Sequence, residues 1–213
     1  LMKKLHPEHH VTVVERNPAG ATFGFGVVLS NGTLTQFQQA DPKSYAQLMA
    51  HQITWDTIET VHRGTTVKTG GHYYLGISRK KLLDILQKRA EEVGVELHFE
   101  QEEKDLSRFE GCDLIVAADG VNSITRNLYN EHFQASVVRS KAKFICLAVD
   151  YVVPGFRFIF HDTEHGLFQA HMYPFEPGMS TCIIQCRDET WEKAGLDRMD
   201  TAGSVAFCRE LLK

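Results

Sequence analysis

Glu15 closes the run Val11-Thr12-Val13-Val14-Glu15, a short β-branched stretch that ends in a charge. An acidic residue at the carboxyl end of the second strand of a doubly wound sheet can accept hydrogen bonds from both ribose hydroxyls of an adenine dinucleotide. That use needs a glycine-rich turn roughly twenty residues upstream, and the chain begins too late to show one. Without the turn, a strand-end glutamate is an ordinary surface residue, and Arg16 beside it either lies against the adenosine or faces water. A second place is 112–126, Cys-Asp-Leu-Ile-Val-Ala-Ala-Asp-Gly-Val-Asn-Ser-Ile-Thr-Arg. It predicts a buried strand over Asp113 to Ala118 that breaks at Asp119-Gly120, with Ser123 and Arg126 four and seven residues beyond Asp119. Gly120 lets a backbone approach a ligand closely, and a following helix would aim free N–H groups at a phosphate. Asp-Gly is also a common turn pair; the length of the pattern favours the ligand reading.

Other reactive side chains form no such pattern. His6, His9 and His10 flank Pro7, and His161 and His165 are four apart, but no Cys-x-x-Cys or His-Glu-x-x-His accompanies them. Cys182 and Cys186 fall on one face of a predicted strand, about 13 Å apart if extended, too far to share a zinc. No metal site and no catalytic triad is expected. Trp55 and Trp191 read as packing anchors, and Lys88, Arg89, Glu91 and Glu92 as a solvated helix face.

The elements that would position these residues follow from pattern. Leu1 to Leu5 reads as a last helical turn, stopped by Pro7, and Val11 to Glu15 as a buried parallel strand. Gly24 to Leu29 reads as loop or irregular strand. A helix is expected over Pro42 to His51, capped by Asp41 with Pro42 first. Short antiparallel strands are expected at Ile58–Val61, Thr65–Lys68 and Tyr73–Leu75. The clearest helix runs from Ser78 to Val93, capped by Ser78, with an apolar stripe through Leu82, Ile85, Leu86 and Val93. Gly94 stops it, and Val95 to Phe99 is a strand. After a helix at Val121–Tyr129, strands follow at Lys143–Tyr151, Arg157–His161, Gly166–Met172 and Met179–Cys186, then helices at Asp188–Ala194 and Thr201–Leu212. Strand–helix alternation feeding a run of strands predicts an α/β fold: a partial Rossmann-like domain joined to an antiparallel β-sheet domain. Residues 1–50 and 75–138 would form the first, 51–74 and 139–190 the sheet, and 191–213 a helical segment.

Composition bounds the class. The 213 residues are 43% hydrophobic and 23% charged, which excludes a disordered tail and a coiled coil. Twenty-three basic against 27 acidic residues give a net charge of −4 without a basic block, so neither nucleic acid nor an anionic membrane surface is an expected partner. No apolar run approaches the roughly 20 residues of a membrane span. Five cysteines, two in apolar runs, suit a reducing cytoplasm better than a disulfide framework. The chain opens at a helix end and closes inside a helix, which reads as truncation at both ends.

Residues 112–126 resemble the second fingerprint of the flavin-dependent aromatic hydroxylases, the single-component FAD monooxygenases related to p-hydroxybenzoate hydroxylase. That fingerprint has a small or Cys residue, apolar residues, Asp-Gly and Ser-x-x-Arg. The family's strand-ending glutamate falls on Glu15, and its arginine heading a helix falls on Arg79 in Gly76-Ile77-Ser78-Arg79-Lys80-Lys81. Two family motifs are absent: a Gly-x-Gly-x-x-Gly turn would precede Leu1, and a Gly-Asp motif would follow Lys213. The loop Gly24-Phe25-Gly26-Val27-Val28-Leu29-Ser30 and the region from His161 to Cys186 are similar to the branch acting on aminobenzoyl- or salicylyl-type CoA thioesters and on tryptophan-derived pigment precursors. The resemblance implies FAD held by Glu15, Arg16, Arg79, Asp119 and Gly120, with NADH or NADPH as co-substrate and O2 as the source of a ring hydroxyl. It implies a small aromatic substrate, free or as a CoA thioester, and is compatible with a homo-oligomer. Because the cofactor carries the hard chemistry, the protein is expected to offer an apolar pocket, drawn from Phe25, Val27, Phe168, His171, Tyr173 and Phe175. Two rival readings are a flavin oxidoreductase of the same fold that inserts no oxygen, and an inactive, non-catalytic fragment.

Overall fold

The computed structural model describes residues 1–213. The single turn α1 (Met2–Leu5) ends before Pro7, and β1 (Thr12–Val14) and β2 (Gly26–Ser30) follow. The Ser30 hydroxyl caps α2 (Asn31–Ala40) by accepting from the Thr33 N–H, and the Asp41 carboxylate caps α3 (Pro42–Met49) by accepting from the Ser44 N–H. Next come β3 (Ile53–Trp55), β4 (Ile58–His62), β5 (Thr65–Thr69), β6 (Tyr74–Ser78) and α4 (Arg79–Glu92). Gly94, at φ +82°, supplies the left-handed residue that turns α4 into β7 (Glu96–His98). A 3-10 turn at 107–109 and the short helices α5 (Ile124–Leu128) and α6 (Asn130–Phe133) lead to four long strands. These are β8 (Ala142–Val149), β9 (Phe156–Thr163), β10 (Gly166–Glu176) and β11 (Met179–Arg187), followed by α7 (Asp188–Lys193) and α8 (Thr201–Leu211).

The strands form three sheets in a mixed α/β fold. β1 and β7 pair in parallel, with Val13 opposite Leu97. β2-β6-β3 is antiparallel. The six-stranded sheet runs β5-β4-β9-β10-β11-β8 and is antiparallel except where β4 lies parallel to β9. Since directly opposed residues share a face, the register divides this sheet into two surfaces. Phe168, Ala170 and Met172 of β10 point to the back with Cys182, Ile184 and Cys186 of β11, and there they meet Leu196, just after α7, and Cys208 of α8. His171 and Tyr173 point to the front, opposite Ile183 and Thr181. A second core lies under α2, α3 and α4, built on Leu34, Leu48, Leu75, Ile77 and Ile85.

Several expectations need correction. Asp113 to Ala118 is not a strand: it joins no sheet, and Leu114 and Val116 are 63% and 73% exposed. A buried parallel strand needs neighbours and cover on both faces, and this segment has neither. β1 is parallel as expected but not buried, for β7 is its single neighbour and Val13 is 46% exposed. Gly26 to Ser30 is a regular strand. Ser78 precedes α4 without making a side-chain cap bond. The strand expected at Tyr73–Leu75 runs on to Ser78 and pairs antiparallel with β2 and β3. The helix α2 was unforeseen because its Asn-Gly-Thr and Thr-Gln segments have weak helix propensity.

Asp41 ties the helices together. Arg89 grips it at both carboxylate oxygens, 2.8 and 3.0 Å away, the Ser44 hydroxyl donates to it at 2.6 Å, and Lys4 lies 3.3 Å off. Arg89 above all holds the carboxyl well below the usual range. The folded value therefore lies under the unfolded one of about 3.9. The stability this group contributes is present above that pH and is lost as pH falls through the folded value. Melting temperature followed downward from pH 6 should show this acid loss, and Arg89→Ala should shrink it; an unchanged acid slope would remove the pair from the account.

Candidate functional site

Arg79 begins α4 at the point where the small sheet meets the large one. Its N–H donates to the Phe25 carbonyl at 2.7 Å, which anchors the helix start to the loop before β2. Its exposed guanidinium lies over Gly24 (φ +87°) and has no hydrogen-bond or ion-pair partner in the molecule. With Ser78 making no cap, the first turn of α4 also keeps free N–H groups. An unpaired cation beside uncapped helix N–H groups is an arrangement that suits a phosphate.

Glu15 follows β1. One carboxylate oxygen accepts from the Asn17 N–H at 2.8 Å and from its side-chain amide at 2.6 Å, which leaves the other oxygen without a partner. Arg16 is exposed and faces Glu102 at 3.8 Å. Because β7 runs parallel to β1 and α4 packs back on β7 through a tight turn, Arg79 and Glu15 lie toward the same end of that strand pair. No hydrogen bond or ion pair joins the Asp119-Gly120 bend to either residue. Both Asp119 oxygens are used locally, one accepting from the Ser123 hydroxyl at 2.5 Å and the other from the Thr125 N–H at 3.0 Å. The Ser123 hydroxyl, then that N–H, hold the Asp119 carboxyl at about 2. Ser123 in turn caps α5 through the Arg126 N–H. What remains to meet a ligand is the backbone at Gly120, with φ +85° and open space above its Cα.

The six expected pocket residues divide. Phe168 is 1% exposed on the back of the sheet, packed on Phe207, and lines no front-face site; strand alternation sends it the opposite way from His171. Val27 packs against the core under the helices, and Phe25 is 40% exposed in the loop that Arg79 holds. His171, Tyr173 and, past a bulge, Phe175 lie on the front or at its edge. His171 sits between Phe158 and Ile183 in the register, and Phe156 and Phe158 stack beside it at 4.8 Å and 13°. It has no hydrogen-bond partner, and burial lowers its pKa, so it is neutral at neutral pH. Phe156, Phe158, Ile183 and Cys146 were missed. The strand register identifies them, since each opposes or flanks His171 or a residue paired with it. Burial pushes the Cys146 thiol up, against the opposing pull of the nearby Arg79 charge. The front is thus an aromatic and aliphatic wall with one neutral imidazole, bordered by a free guanidinium.

Two other features lie elsewhere. His6, Glu8 and His9 bring one ligand atom each within 4.8 Å of one another; all three are exposed, the two rings stack at 16°, and His6 Nδ1 and His9 Nε2 both face Glu8 Oε1 at 3.2 and 3.6 Å. A cavity of about 340 Å³ between α1, α2, α3 and α4, lined by Phe37, Leu86 and Val93, contains no predicted site residue.

This architecture is shared with solved oxygenases. The chain superposes on the tetrameric form of 2-methyl-3-hydroxypyridine-5-carboxylic acid oxygenase with a TM-score of 0.73 at 20% identity, over 87% of this chain and 54% of that one. It superposes on PqsL from Pseudomonas aeruginosa, described as a probable FAD-dependent monooxygenase, with a TM-score of 0.66 at 18% identity, over 95% and 60%. In sequence, the chain is 38% identical over 213 residues, its whole length, to salicyloyl-CoA 5-hydroxylase of Streptomyces sp. It is 31% identical over 175 residues, 82% of the chain, to 3-hydroxy-4-methyl-anthranilyl-[aryl-carrier protein] 5-monooxygenase of Streptosporangium sibiricum. The chain spans 41% and 49% of the lengths of these two relatives. No family model matches it. No helix is long and apolar enough to cross a membrane.

Proposed function

We propose that the chain is part of an FAD-dependent monooxygenase that hydroxylates an aromatic substrate with NADH or NADPH and O2. The observation that carries this reading is the unpaired Arg79 guanidinium at the head of α4, bordering the aromatic front of the large sheet. The likeness to salicyloyl-CoA 5-hydroxylase supports it and favours an aromatic acyl thioester as substrate class. Residues 1–50 and 75–138 would form a Rossmann-like cofactor side and 51–74 and 139–190 the substrate side, with β3 of the latter pairing with β6 of the former.

The residues present fit the cofactor. Glu15 has a free carboxylate oxygen for ribose hydroxyls, Arg79 a free cation for a phosphate, and Gly120 leaves room for close approach. Arg16 would flank the adenosine, and Asp119 would act by shaping the bend at Gly120. Bound FAD would supply the oxygen-activating chemistry. The chain's own contribution is positional. Phe156, Phe158 and Ile183 present an apolar wall to the ring and exclude water, and neutral His171 offers one hydrogen bond to a ring hydroxyl or amino group. The free cysteines, three of them buried, suit a reducing cytoplasm.

Arg79→Ala in the intact protein should weaken FAD retention by roughly 10- to 100-fold, the loss of a charge-assisted phosphate contact. Flavin absorbance after gel filtration and titration of the apo-protein measure it; full retention would remove Arg79 from the site. Hydroxylated product measured against oxygen consumed then separates a monooxygenase from a flavoprotein that inserts no oxygen.

A further inference from the structure

Gly26 is the first residue of β2 and follows Phe25, whose carbonyl holds the start of α4. Both of its backbone groups are gripped by side chains of the large sheet. Its N–H donates to the Thr181 hydroxyl at 3.0 Å, and its carbonyl accepts from the Tyr173 hydroxyl at 3.1 Å, both in buried surroundings. Burial chiefly raises the phenol's pKa, so it stays a donor. A Cβ on Gly26 would sit 2.5 Å from the Phe175 Cβ and 2.7 Å from the Thr181 hydroxyl, so the strand and the sheet are in contact with no room between them. β10 and β11 thus fix Gly26, the residue next to the Phe25 carbonyl from which the Arg79 N–H hangs at 2.7 Å.

We propose that Thr181 and Tyr173 are positioning residues for Arg79: by clamping Gly26 from the substrate sheet, they set where the arginine meets the cofactor phosphate. This rests on the reading of Arg79 given above. In the β2 edge the alternative partner for the Gly26 N–H would be water, and β2 could then slide on the sheet with the Phe25 carbonyl and the helix start attached to it. A buried hydroxyl lost from such a pair leaves its partner unsatisfied.

The test uses the intact protein and reads the flavin dissociation constant in a double-mutant cycle. Thr181→Val keeps the volume and removes the acceptor, and should weaken flavin binding roughly three- to tenfold. Thr181→Ser keeps the hydroxyl and should stay within about twofold of the parent. In an Arg79→Ala background, Thr181→Val should have almost no further effect, because what it positions is gone. Tyr173→Phe, which keeps the ring, provides the same cycle if Thr181→Val does not fold. Equal effects of Thr181→Val with and without Arg79, or no effect beside a strong Arg79→Ala loss, would overturn the clamp and leave Arg79 in the site. Unaltered binding in Arg79→Ala itself would overturn the cofactor reading, and the clamp with it.

Discussion

Replacing Phe168 by Ala is expected to destabilise the protein by about 3–5 kcal/mol, the cost of deleting a fully buried aromatic side chain and leaving a cavity. Phe168 is 1% exposed, its ring centroid is 5.4 Å from that of Phe207, and the surrounding Ala170, Met172, Cys182 and Ile184 belong to strands that cannot collapse into the space. For a chain of this length the melting temperature should fall by roughly 6–20 °C. The same variant separates packing from binding. Phe168 faces the helices behind the sheet, so at temperatures where the variant remains folded the affinity for an aromatic ligand should be unchanged. A stable Phe168→Ala protein with weakened ligand binding would return this residue to the pocket. His171→Ala should behave in the opposite way, with little loss of stability and a weaker hold on the ring.

The second large effect is expected at Gly76. A Cβ there would overlap the carbonyl oxygen of Pro174 and lie 2.9 Å from Cζ3 of Trp55. Neither wall can yield cheaply: one is backbone of β10, the other a ring 6% exposed and braced by Tyr74 and Phe156. Overpacking typically costs 1–3 kcal/mol. With backbone as the obstacle, Gly76→Ala should reach about 3 kcal/mol, less the several tenths gained from a stiffer unfolded chain. Denaturant unfolding measures the loss, and Trp55 fluorescence should report the small sheet lifting from the large one. A variant as stable as the parent would show that the two sheets are not in rigid contact at this residue.

Legibility in the sequence followed local determinism. The four long strands, α4, and the Asp41 and Pro42 start of α3 were all readable, because cap residues and period-2 apolar runs act within a few residues. Asp113 to Ala118 misled because an apolar run states a wish for burial without naming a partner. The candidate site was legible in part. Arg79 and Glu15 could be marked from the resemblance, but the front wall was not visible as a unit. Phe156 and Phe158 join His171 only through the pairing of β9 with β10, and a strand's register is a tertiary fact. Phe168 was misassigned for the same reason. It stands three residues before His171, and an odd separation along a strand means opposite faces. The grip of Tyr173 and Thr181 on Gly26 spans up to 155 residues of sequence, beyond any local pattern.

The β4–β5 hairpin imposes an order on biosynthesis. It borders the large sheet only through β9, and the Arg157–Glu59 contact across that boundary joins residues 98 positions apart. At about 5–20 residues per second, a nascent chain would hold the hairpin for roughly 5–20 seconds before its partner strand emerges. Throughout that interval the amide and carbonyl groups of β4 that later face β9 stand open, an edge available to any other extended segment in the crowded vicinity of the ribosome. Lys68 on the neighbouring strand, paired with Glu59, sets charge beside that edge while it waits.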